Sequence, residues 1–378
     1  MFELRVELDQ RGENFGEFLL YRAITNSRFG SEHEAIGQFR SFLATKPAPD
    51  LERKARYELS WALTRLGEYT QAATEIAAAL RLTGESESSH RDHENVHRLL
   101  DALNGVAKQT VEFVLPTRVQ ARRDPLGFWE VPVEVNSQRG EWIFDSGANY
   151  STVTESEARR MGLAVRQVSA YISDFIGADH PTRLAVAGEL RFGSARFHNV
   201  VFLVLADQSL FISPVKYQIH GILGMPELRA LECVEVSAEG AITFEKGGAA
   251  ARVPANLFFD GLNAIAQVGH SGHNVQMMLD TGARTVLYPS MLDAFAQWER
   301  DQLKGSSATA IAGLSAQREG DLVPIIQLEA GGRTVYLERV GLYRKAPPGT
   351  RGRDGVLGID ALKGGFRIDF RAMRFTLN

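Results

Sequence analysis

Cysteine and long apolar runs are almost missing from this sequence of 378 residues. The one cysteine, Cys233, cannot close a disulfide within the chain, so we expect a buried thiol and a fold held together by packed cores. The longest apolar run, 200–206, spans seven residues, whereas a membrane-crossing helix needs roughly 20. The sequence therefore predicts no membrane span.

An excess of positive charge is missing as well. The chain has 42 Lys and Arg against 46 Asp and Glu, a net charge of −4, so no positive field is available to hold a nucleic acid or an anionic membrane. The sequence also has no Gly-rich loop ending in Lys-Ser or Lys-Thr, and no Gly-x-Ser-x-Gly motif with triad partners. These absences argue against nucleic-acid partners, nucleotide sites and serine hydrolases.

The composition that remains is that of a globular protein. Apolar residues make up 44% and charged residues 23% of a chain long enough for two or three domains. Glycine is unevenly spread, with 7 residues in the first 110 and 28 in the remaining 268. We therefore expect a multidomain fold, with an α-helical domain over 1–110 followed by mainly-β structure.

The first region shows helical periodicity, because its apolar residues recur at spacings of three and four. The segment 66–80, with Gly67 and Ala72, resembles the tetratricopeptide repeat, and 35–47 fits that pattern more loosely. A further helix is predicted over 94–104. The region is thus expected to be a tetratricopeptide-like array of helical hairpins, with a generic helical bundle as the alternative.

Beyond residue 120, short runs of Val, Ile, Phe and Tyr alternate with glycine turns, which predicts antiparallel β structure. This part contains an internal repeat. WIFDSGANYSTV at 142–153 returns as MMLDTGARTVLY at 277–288, and HGILGMPEL at 220–228 returns as DGVLGIDAL at 354–362. The separations between the two pairs agree within one residue. We therefore expect two equivalent lobes, over 111–250 and 251–378.

Each copy of the repeat carries an acidic turn after an apolar strand. The two turns are Asp145-Ser146-Gly147 and Asp280-Thr281-Gly282. The hydroxyl of the second residue can bond across to the opposite turn, and the glycine lets backbone N–H groups approach the carboxylate. Two such carboxylates brought together cannot both ionise, so the pair shares one proton. Asp145 and Asp280 are therefore candidate catalytic residues, and the other four turn residues are expected to support them.

The doubled pattern resembles the aspartic proteases, specifically two retroviral-type (retropepsin-like) lobes fused in tandem. The matching residues are 145–148 and 280–283, each followed by an apolar-apolar-Gly element at 222–224 and 356–358. The resemblance implies two mainly-β lobes related by a pseudo-twofold axis, with one catalytic aspartate from each. It also implies peptide-bond hydrolysis by a water activated between the aspartates, without a metal or another cofactor.

Flaps are a further feature that the resemblance implies, since the family covers its cleft with β-hairpins that lie between the two motifs of each lobe. The candidate flap and substrate-binding residues are Tyr171, Phe175, Ile176 and Gly177 in the first lobe, and Ile311 and Gly313 in the second. Plain hairpin packing is the alternative for the apolar members of this set.

Alanine follows each acidic turn, at Ala148 and Ala283, where pepsin-like members of the family usually have Ser or Thr. Alanine offers the carboxylate no hydroxyl donor, and fewer bonds to the anion mean higher pKa values. We therefore expect an activity optimum in the mildly acidic to neutral range.

The function expected from these features is an aspartic endopeptidase that acts on protein or peptide substrates. The helical domain would serve docking or regulation and could bind a protein partner. The alternatives are a catalytically silent peptide-binding adaptor with protease-like lobes, and a processing factor that acts on one partner only. Because the first 30 residues lack the basic end and apolar centre of a secretory signal, we expect a soluble protein that is exported through a signal absent from this chain, or else cytoplasmic.

Histidines form the remaining candidate sites. His90, His93 and His97 would share one helical face, which suits a metal, but the charged residues between them favour a solvated surface. His270 and His273 flank a predicted hairpin turn, where polar character is expected for the turn alone.

Overall fold

The computed structural model describes residues 1–12, 15–115, 117–173, 179–245, 247, 254–303, 309–312, 317–350 and 352–378. These residues form two compact units. The helical unit combines Met1–Gln109 with Arg166–Tyr171 and Phe258–Leu262, and the β unit combines Thr110–Val165, Ile172–Leu257 and Asn263–Asn378.

Most of the helical unit is built from helices. They are α1 (Phe2–Arg11), α2 (Gly16–Arg28), α3 (Glu32–Ala44), α4 (Pro49–Arg65), α5 (Tyr69–Leu80) and α6 (Glu87–Ala102). Pro49 begins α4, at a position where its missing N–H costs no helical hydrogen bond. Phe39, Leu59 and Ala72 are fully buried between the helices. The prediction of a helical N-terminal region is confirmed.

Helix α6 begins earlier than its apolar pattern predicts. The pattern indicates 94–104, whereas the helix spans Glu87–Ala102. Ser86 caps the helix, because its hydroxyl accepts a hydrogen bond from the backbone N–H of Ser89 at 3.3 Å. The cap satisfies a backbone N–H of the first turn, so a polar segment with no apolar stripe forms the start of the helix.

The rest of the chain is mainly β structure, as predicted. The strands are β1 (Thr110–Glu112), β2 (Thr117–Gln120), β3 (Arg122–Arg123), β4 (Trp129–Val135), β5 (Gln138–Phe144), β6 (Ser151–Thr154), β7 (Val165–Ser173), β8 (Asp179–Phe192), β9 (Ala195–Leu205), β10 (Phe211–Ile212), β11 (Tyr217–Gln218), β12 (Gly221–Leu223), β13 (Cys233–Ser237), β14 (Ala241–Glu245), β15 (Leu257–Asp260), β16 (Asn263–His270), β17 (His273–Asp280), β18 (Val286–Leu287), β19 (Thr309–Ala312), β20 (Gln317–Ala330), β21 (Arg333–Tyr343), β22 (Gly355–Gly358), β23 (Gly365–Asp369) and β24 (Arg374–Leu377). The short helices are α7 (Glu155–Arg160), α8 (Met225–Ala230) and α9 (Gln297–Leu303), with 3₁₀ turns at Asp207–Leu210, Ser213–Val215 and Pro289–Asp293.

The first acidic turn is positioned by a sheet that closes on itself. Strands β9, β6, β12, β5, β4 and β8 follow one another in this sheet, and β8 also pairs with β9. Strand β12 lies between β5 and β6, parallel to β5, with Leu223 opposite Phe144. The first apolar-apolar-Gly element therefore lies beside the strand that leads to Asp145.

The second acidic turn has a corresponding arrangement. Strands β16, β17, β22, β18, β21 and β20 follow one another, and β16 pairs with β20 at Gly269 and Glu329. Strand β22 lies between β17 and β18, parallel to β17, with Leu357 opposite Leu279. The second apolar-apolar-Gly element therefore lies beside the strand that ends at Asp280.

A third sheet joins segments that follow each acidic turn. Its order is β2, β14, β13, β23 and β24, and β13 runs antiparallel to β23 with Val234 opposite Ile368. Both of these side chains are buried. The third sheet thus pairs a strand that follows the first acidic turn with a strand that follows the second.

The helices and the single cysteine bear on two expectations from the sequence, no membrane span and a buried thiol. Within the described ranges, no helix is long and apolar enough to cross a membrane. Cys233 is a buried free thiol, and burial raises its pKa to about 12. A thiol with this pKa is protonated at neutral pH and is a weak nucleophile, so Cys233 contributes packing rather than reactivity.

Candidate active site

The two acidic turns meet in the β unit, and their hydroxyl groups cross-link them. The backbone N–H of Ser146 donates to Thr281 Oγ1 at 3.0 Å, and the backbone N–H of Thr281 donates to Ser146 Oγ at 3.1 Å. Each hydroxyl also donates to the strand opposite, Ser146 Oγ to the Leu279 carbonyl at 3.1 Å and Thr281 Oγ1 to the Phe144 carbonyl at 2.7 Å. All of these groups are buried, so the four bonds fix the position of one turn against the other.

The glycine of each turn donates a hydrogen bond to the aspartate of its own turn and leaves room for the carboxyl of the other. The backbone N–H of Gly147 donates to Asp145 Oδ1 at 2.7 Å, and that of Gly282 donates to Asp280 Oδ1 at 2.9 Å. A Cβ atom added to Gly147 would overlap the carboxyl group of Asp280, and one added to Gly282 would overlap that of Asp145. Glycine is required here because each carboxyl lies directly against the opposite turn.

The carboxyl groups of Asp145 and Asp280 are brought together, because each lies against the glycine of the opposite turn. Burial raises the pKa of the Asp145 carboxyl above its usual range. Burial and the neighbouring charge of Asp145 raise the pKa of Asp280 well above that range. Asp280 is 7% exposed and Asp145 is more open to solvent. Because two adjacent carboxylates in this environment repel each other, the pair retains one proton at a pH where an isolated aspartate has lost it.

Behind the first turn, a buried hydroxyl braces the apolar-apolar-Gly element. Ser151 Oγ accepts from the backbone N–H of Gly224 at 2.9 Å and donates to Glu227 Oε2 at 2.5 Å. The backbone N–H of Met225 donates to the Ala148 carbonyl at 2.8 Å. These bonds hold the loop that follows Asp145 against the start of α8.

The second turn has the same kind of brace. Thr285 Oγ1 accepts from the backbone N–H of Gly358 at 3.0 Å and donates to Asp360 Oδ1 at 2.7 Å. The backbone N–H of Ile359 donates to the Ala283 carbonyl at 2.9 Å. Sequence reasoning missed these bracing residues. The signal available was a Ser or Thr five or six positions after each aspartate, paired with an acidic residue shortly after each apolar-apolar-Gly element.

Apolar side chains surround the base of the first turn. The buried members are Ile143, Leu205, Leu210 and Ile219, and the partly buried members packed against them are Phe128, Ile172, Ile212, Tyr217 and Ile222. We call this set the apolar cluster. Within this cluster, Ile143 lies two residues before Asp145 in the chain, and Ile222 of β12 lies opposite Ile143 of β5.

The candidate flap residues are only partly described. Tyr171 lies in β7, and its backbone N–H and carbonyl both hydrogen-bond Asn95 of α6. The backbone of Ile311 lies in β19, opposite Arg318 of β20. Phe175, Ile176, Gly177 and Gly313 lie outside the described residues.

His93, one of the three histidines of α6, contacts an acidic and an aromatic side chain. His93 Nδ1 lies 2.6 Å from Glu85 Oε1, and its ring stacks on Tyr57 with centroids 3.6 Å apart. The side chain of His93 is 24% exposed and that of His90 is 42% exposed. No group of three or more metal-ligating side chains occurs in the described part of the chain.

His270 and His273 flank a hairpin turn between β16 and β17, as predicted. His270 is fully buried at the end of β16, with Nε2 3.3 Å from Glu299 Oε2 and Nδ1 2.9 Å from the Gln327 carbonyl. These contacts link α9 to the sheet, so His270 packs against α9 and β20 rather than being simply a polar residue of the turn.

Comparison with known proteins points to the same class as the sequence motifs. A model of a family described as aspartyl protease matches residues 131–226, which include Asp145 and Gly224. The match confirms the resemblance to aspartyl proteases for this segment. Among solved structures, the chain is similar to "Crystal structure of Basic 7S globulin from soybean", at 13% identity and a TM-score of 0.42, over 69% of this chain and 93% of that one. Comparison with curated proteins gives no match.

The raised pKa values predict a pH-dependent effect of Asp280→Asn on stability. A carboxyl with a folded-state pKa above its unfolded value of about 3.9 destabilises the fold as pH rises from the unfolded towards the folded pKa. The variant lacks this group. We expect its free energy of unfolding to increase relative to the wild type between about pH 4 and pH 7, as measured by urea unfolding.

Asp293→Asn is the matched control, because the side chain of Asp293 is exposed. It should follow the wild-type pH dependence. If the Asp280→Asn curve also runs parallel to the wild-type curve, the pKa of Asp280 is not raised.

The brace of the second turn can be tested with Thr285→Val, which keeps the shape but removes the hydroxyl. The buried N–H of Gly358 and the Asp360 carboxylate then each lose a partner, which should cost about 1–3 kcal/mol in the free energy of unfolding. Thr285→Ser keeps the hydroxyl and should cost less. A larger loss for Thr285→Ser than for Thr285→Val would show that the methyl group, and not the hydroxyl, is what matters.

Proposed function

We propose that this protein is an aspartic endopeptidase in which Asp145 and Asp280 activate one water molecule. The observation that carries the proposal is the pair of carboxyls, each held against the opposite turn by the cross-linked turns and each with a raised pKa. Such a pair contains one acid and one base at the same pH, which is what hydrolysis without a covalent intermediate requires.

In the proposed reaction, the water lies between the two carboxyls and the scissile carbonyl. The ionised carboxylate takes a proton from the water, whose oxygen attacks the carbonyl carbon, while the protonated carboxyl donates to the carbonyl oxygen. The pair then gives its proton to the amide nitrogen and takes one from a hydroxyl of the tetrahedral intermediate, so that the C–N bond breaks and the amine and the carboxylic acid leave. The N–H groups of Gly147 and Gly282 stabilise the carboxylates, because each donates to one of them.

We further propose that 111–250 and 251–378 are two retropepsin-like lobes related by a pseudo-twofold axis. The support is the correspondence of their bonds. Each lobe places a parallel apolar-apolar-Gly strand beside its aspartate strand, and in each lobe a Ser or Thr hydroxyl accepts from the glycine N–H and donates to a carboxylate. For 1–110 we propose a tetratricopeptide-like array that docks a protein partner.

The substrate we propose is an extended peptide with an apolar side chain near the scissile bond. The partly exposed members of the apolar cluster, among them Ile172 and Ile222, lie next to the strand that leads to Asp145. Burying a Leu-sized side chain there would contribute about 1.5–3 kcal/mol to binding. Alternate side chains of an extended peptide would pack against such surfaces, while its backbone pairs with neighbouring strands.

Asp145→Asn and Asp280→Asn test the proposed reaction. Either variant removes the shared proton or its acceptor, so we expect each to lower kcat at least about 10³-fold on a fluorogenic peptide with adjacent leucines. Asp293→Asn, an exposed aspartate, should leave kcat unchanged. A peptide with a hydroxyl-bearing isostere in place of the scissile bond should inhibit. Full turnover by either active-site variant would contradict the proposal, and peptide binding without turnover by the wild type would favour an adaptor.

The pH–rate profile tests the electrostatics of the same pair. The acid limb of the profile reports protonation of the ionised carboxylate, and the alkaline limb reports loss of the shared proton. Burial raises the pKa of both Asp145 and Asp280, so both limbs should lie at higher pH than for isolated aspartates. We expect kcat/KM to be maximal between about pH 5 and pH 7. A maximum below about pH 3 would show that the pKa values are not raised.

A further inference from the structure

The β unit has a surface cavity of about 260 Å³, lined by Glu155, Arg159, Leu163, Val165 and Arg183. All five residues belong to the β unit, and none belongs to the acidic turns or to their braces. The first two lie in α7, the next two lie just before and at the start of β7, and the last lies in β8. The volume is below the roughly 300–1,000 Å³ of sites for drug-sized ligands, so the cavity suits a smaller group.

Regular structure holds the walls of this cavity. Arg183 lies opposite Val204 of the neighbouring strand β9. The backbone N–H of Leu163 donates to the carbonyl of Ala158, a fully buried residue of α7, at 2.9 Å, which anchors the chain after α7 to that helix. Because the walls are fixed before a ligand arrives, little conformational freedom is lost on binding.

One side of the cavity is apolar. Leu163 is almost completely buried, whereas Val165 is 38% exposed. An apolar group placed against Val165 removes apolar surface from water, which favours binding. The lining therefore offers a small apolar contact to a ligand.

The other side of the cavity carries one positive charge without a partner. Arg183 forms an ion pair with Glu155. Within the part of the chain that the structure describes, the exposed guanidinium of Arg159 forms no ion pair or hydrogen bond. Asp207 also acts on Arg159 electrostatically, but it lies outside the lining and accepts hydrogen bonds from the backbone N–H and the hydroxyl of Ser156. The lining thus matches a ligand with one negative charge.

We propose that this cavity binds the C-terminal residue of a peptide that ends in an apolar side chain. Its carboxylate accepts hydrogen bonds from Arg159, whose planar guanidinium presents two parallel donors to a carboxylate. The apolar side chain packs against Leu163 and Val165. A fatty acid shares the carboxylate, but its chain carries more apolar surface than these two side chains can cover. The proposal does not rest on the peptidase reaction.

Methyl NMR with acetyl-Ala-Leu, a dipeptide with a free C-terminus, tests the proposal. The protein carries carbon-13 in the methyl groups of Leu and Val, and the signals of Leu163 and Val165 are assigned with Leu163→Ile and Val165→Ile. Both signals should shift and saturate together, because both side chains line the cavity. The uncharged amide of the dipeptide should bind at least about tenfold more weakly. Equal binding of the amide, or no shift of either signal up to about 10 mM dipeptide, would overturn the proposal.

Two charge variants should change the affinity in opposite directions. Arg159→Gln removes the unpaired cation and should raise the Kd of the dipeptide about tenfold. Glu155→Gln removes the carboxylate that competes for Arg183 and should lower this Kd about threefold. Arg139→Gln is the matched control, because Arg139 is exposed and lies outside the lining. Equal Kd values for Arg159→Gln and Arg139→Gln, or weaker binding by Glu155→Gln than by the wild type, would contradict the assignment.

Octanoate distinguishes a peptide end from another source of the carboxylate. The dipeptide should bind more tightly than octanoate, and the reverse order would identify a site for lipid chains and overturn the proposal. The Kd of the dipeptide should be the same in the wild type and in Asp145→Asn, so the result does not depend on whether the proposed reaction takes place. Thermal unfolding of each variant identifies a temperature at which all are folded, where the titrations are compared.

Discussion

Two carboxyl groups that repel each other when ionised are held in contact, and the structure of the β unit follows from that constraint. The hydroxyls of Ser146 and Thr281 cross-link the turns, and each also bonds the strand that leads to the other aspartate. Since the repulsion between the carboxylates opposes this contact, hydrogen bonds from each turn to the other are needed to hold the turns together. The four buried bonds supply them.

The constraint extends outwards through two similar networks. Ser151 and Thr285 each bind the N–H of the glycine that packs on the turn and a carboxylate behind it. Parallel pairing of β12 with β5 and of β22 with β17 then aligns each network with its aspartate strand. The third sheet connects both halves through β13 and β23. Strand pairing and buried hydrogen bonds thus fix the position of each aspartate strand within the β unit.

The sequence reveals the parts of this arrangement that are repeated. The acidic turns could be found because aspartate, hydroxyl and glycine recur together, at a separation that a second motif repeats. Ser151 and Thr285 could not be found in this way, because they differ in residue type and lie six and five positions after their aspartates. Asn95 carries no sequence signal at all, since its partner is the backbone of a residue 76 positions away. The start of α6 was missed because a cap, and not an apolar stripe, defines it.

The proposed reaction requires that the carboxyl pair holds one shared proton in the pH range of activity. Carbon-13 NMR of protein labelled at the aspartate carboxyl carbons, with Asp145→Asn and Asp280→Asn for assignment, measures this directly as a titration of the two carboxyl signals. The account predicts two coupled transitions above the ordinary aspartate range, the upper one leaving a proton on the pair at mildly acidic to neutral pH. Two independent transitions near the ordinary aspartate pKa of about 3.9 would contradict it.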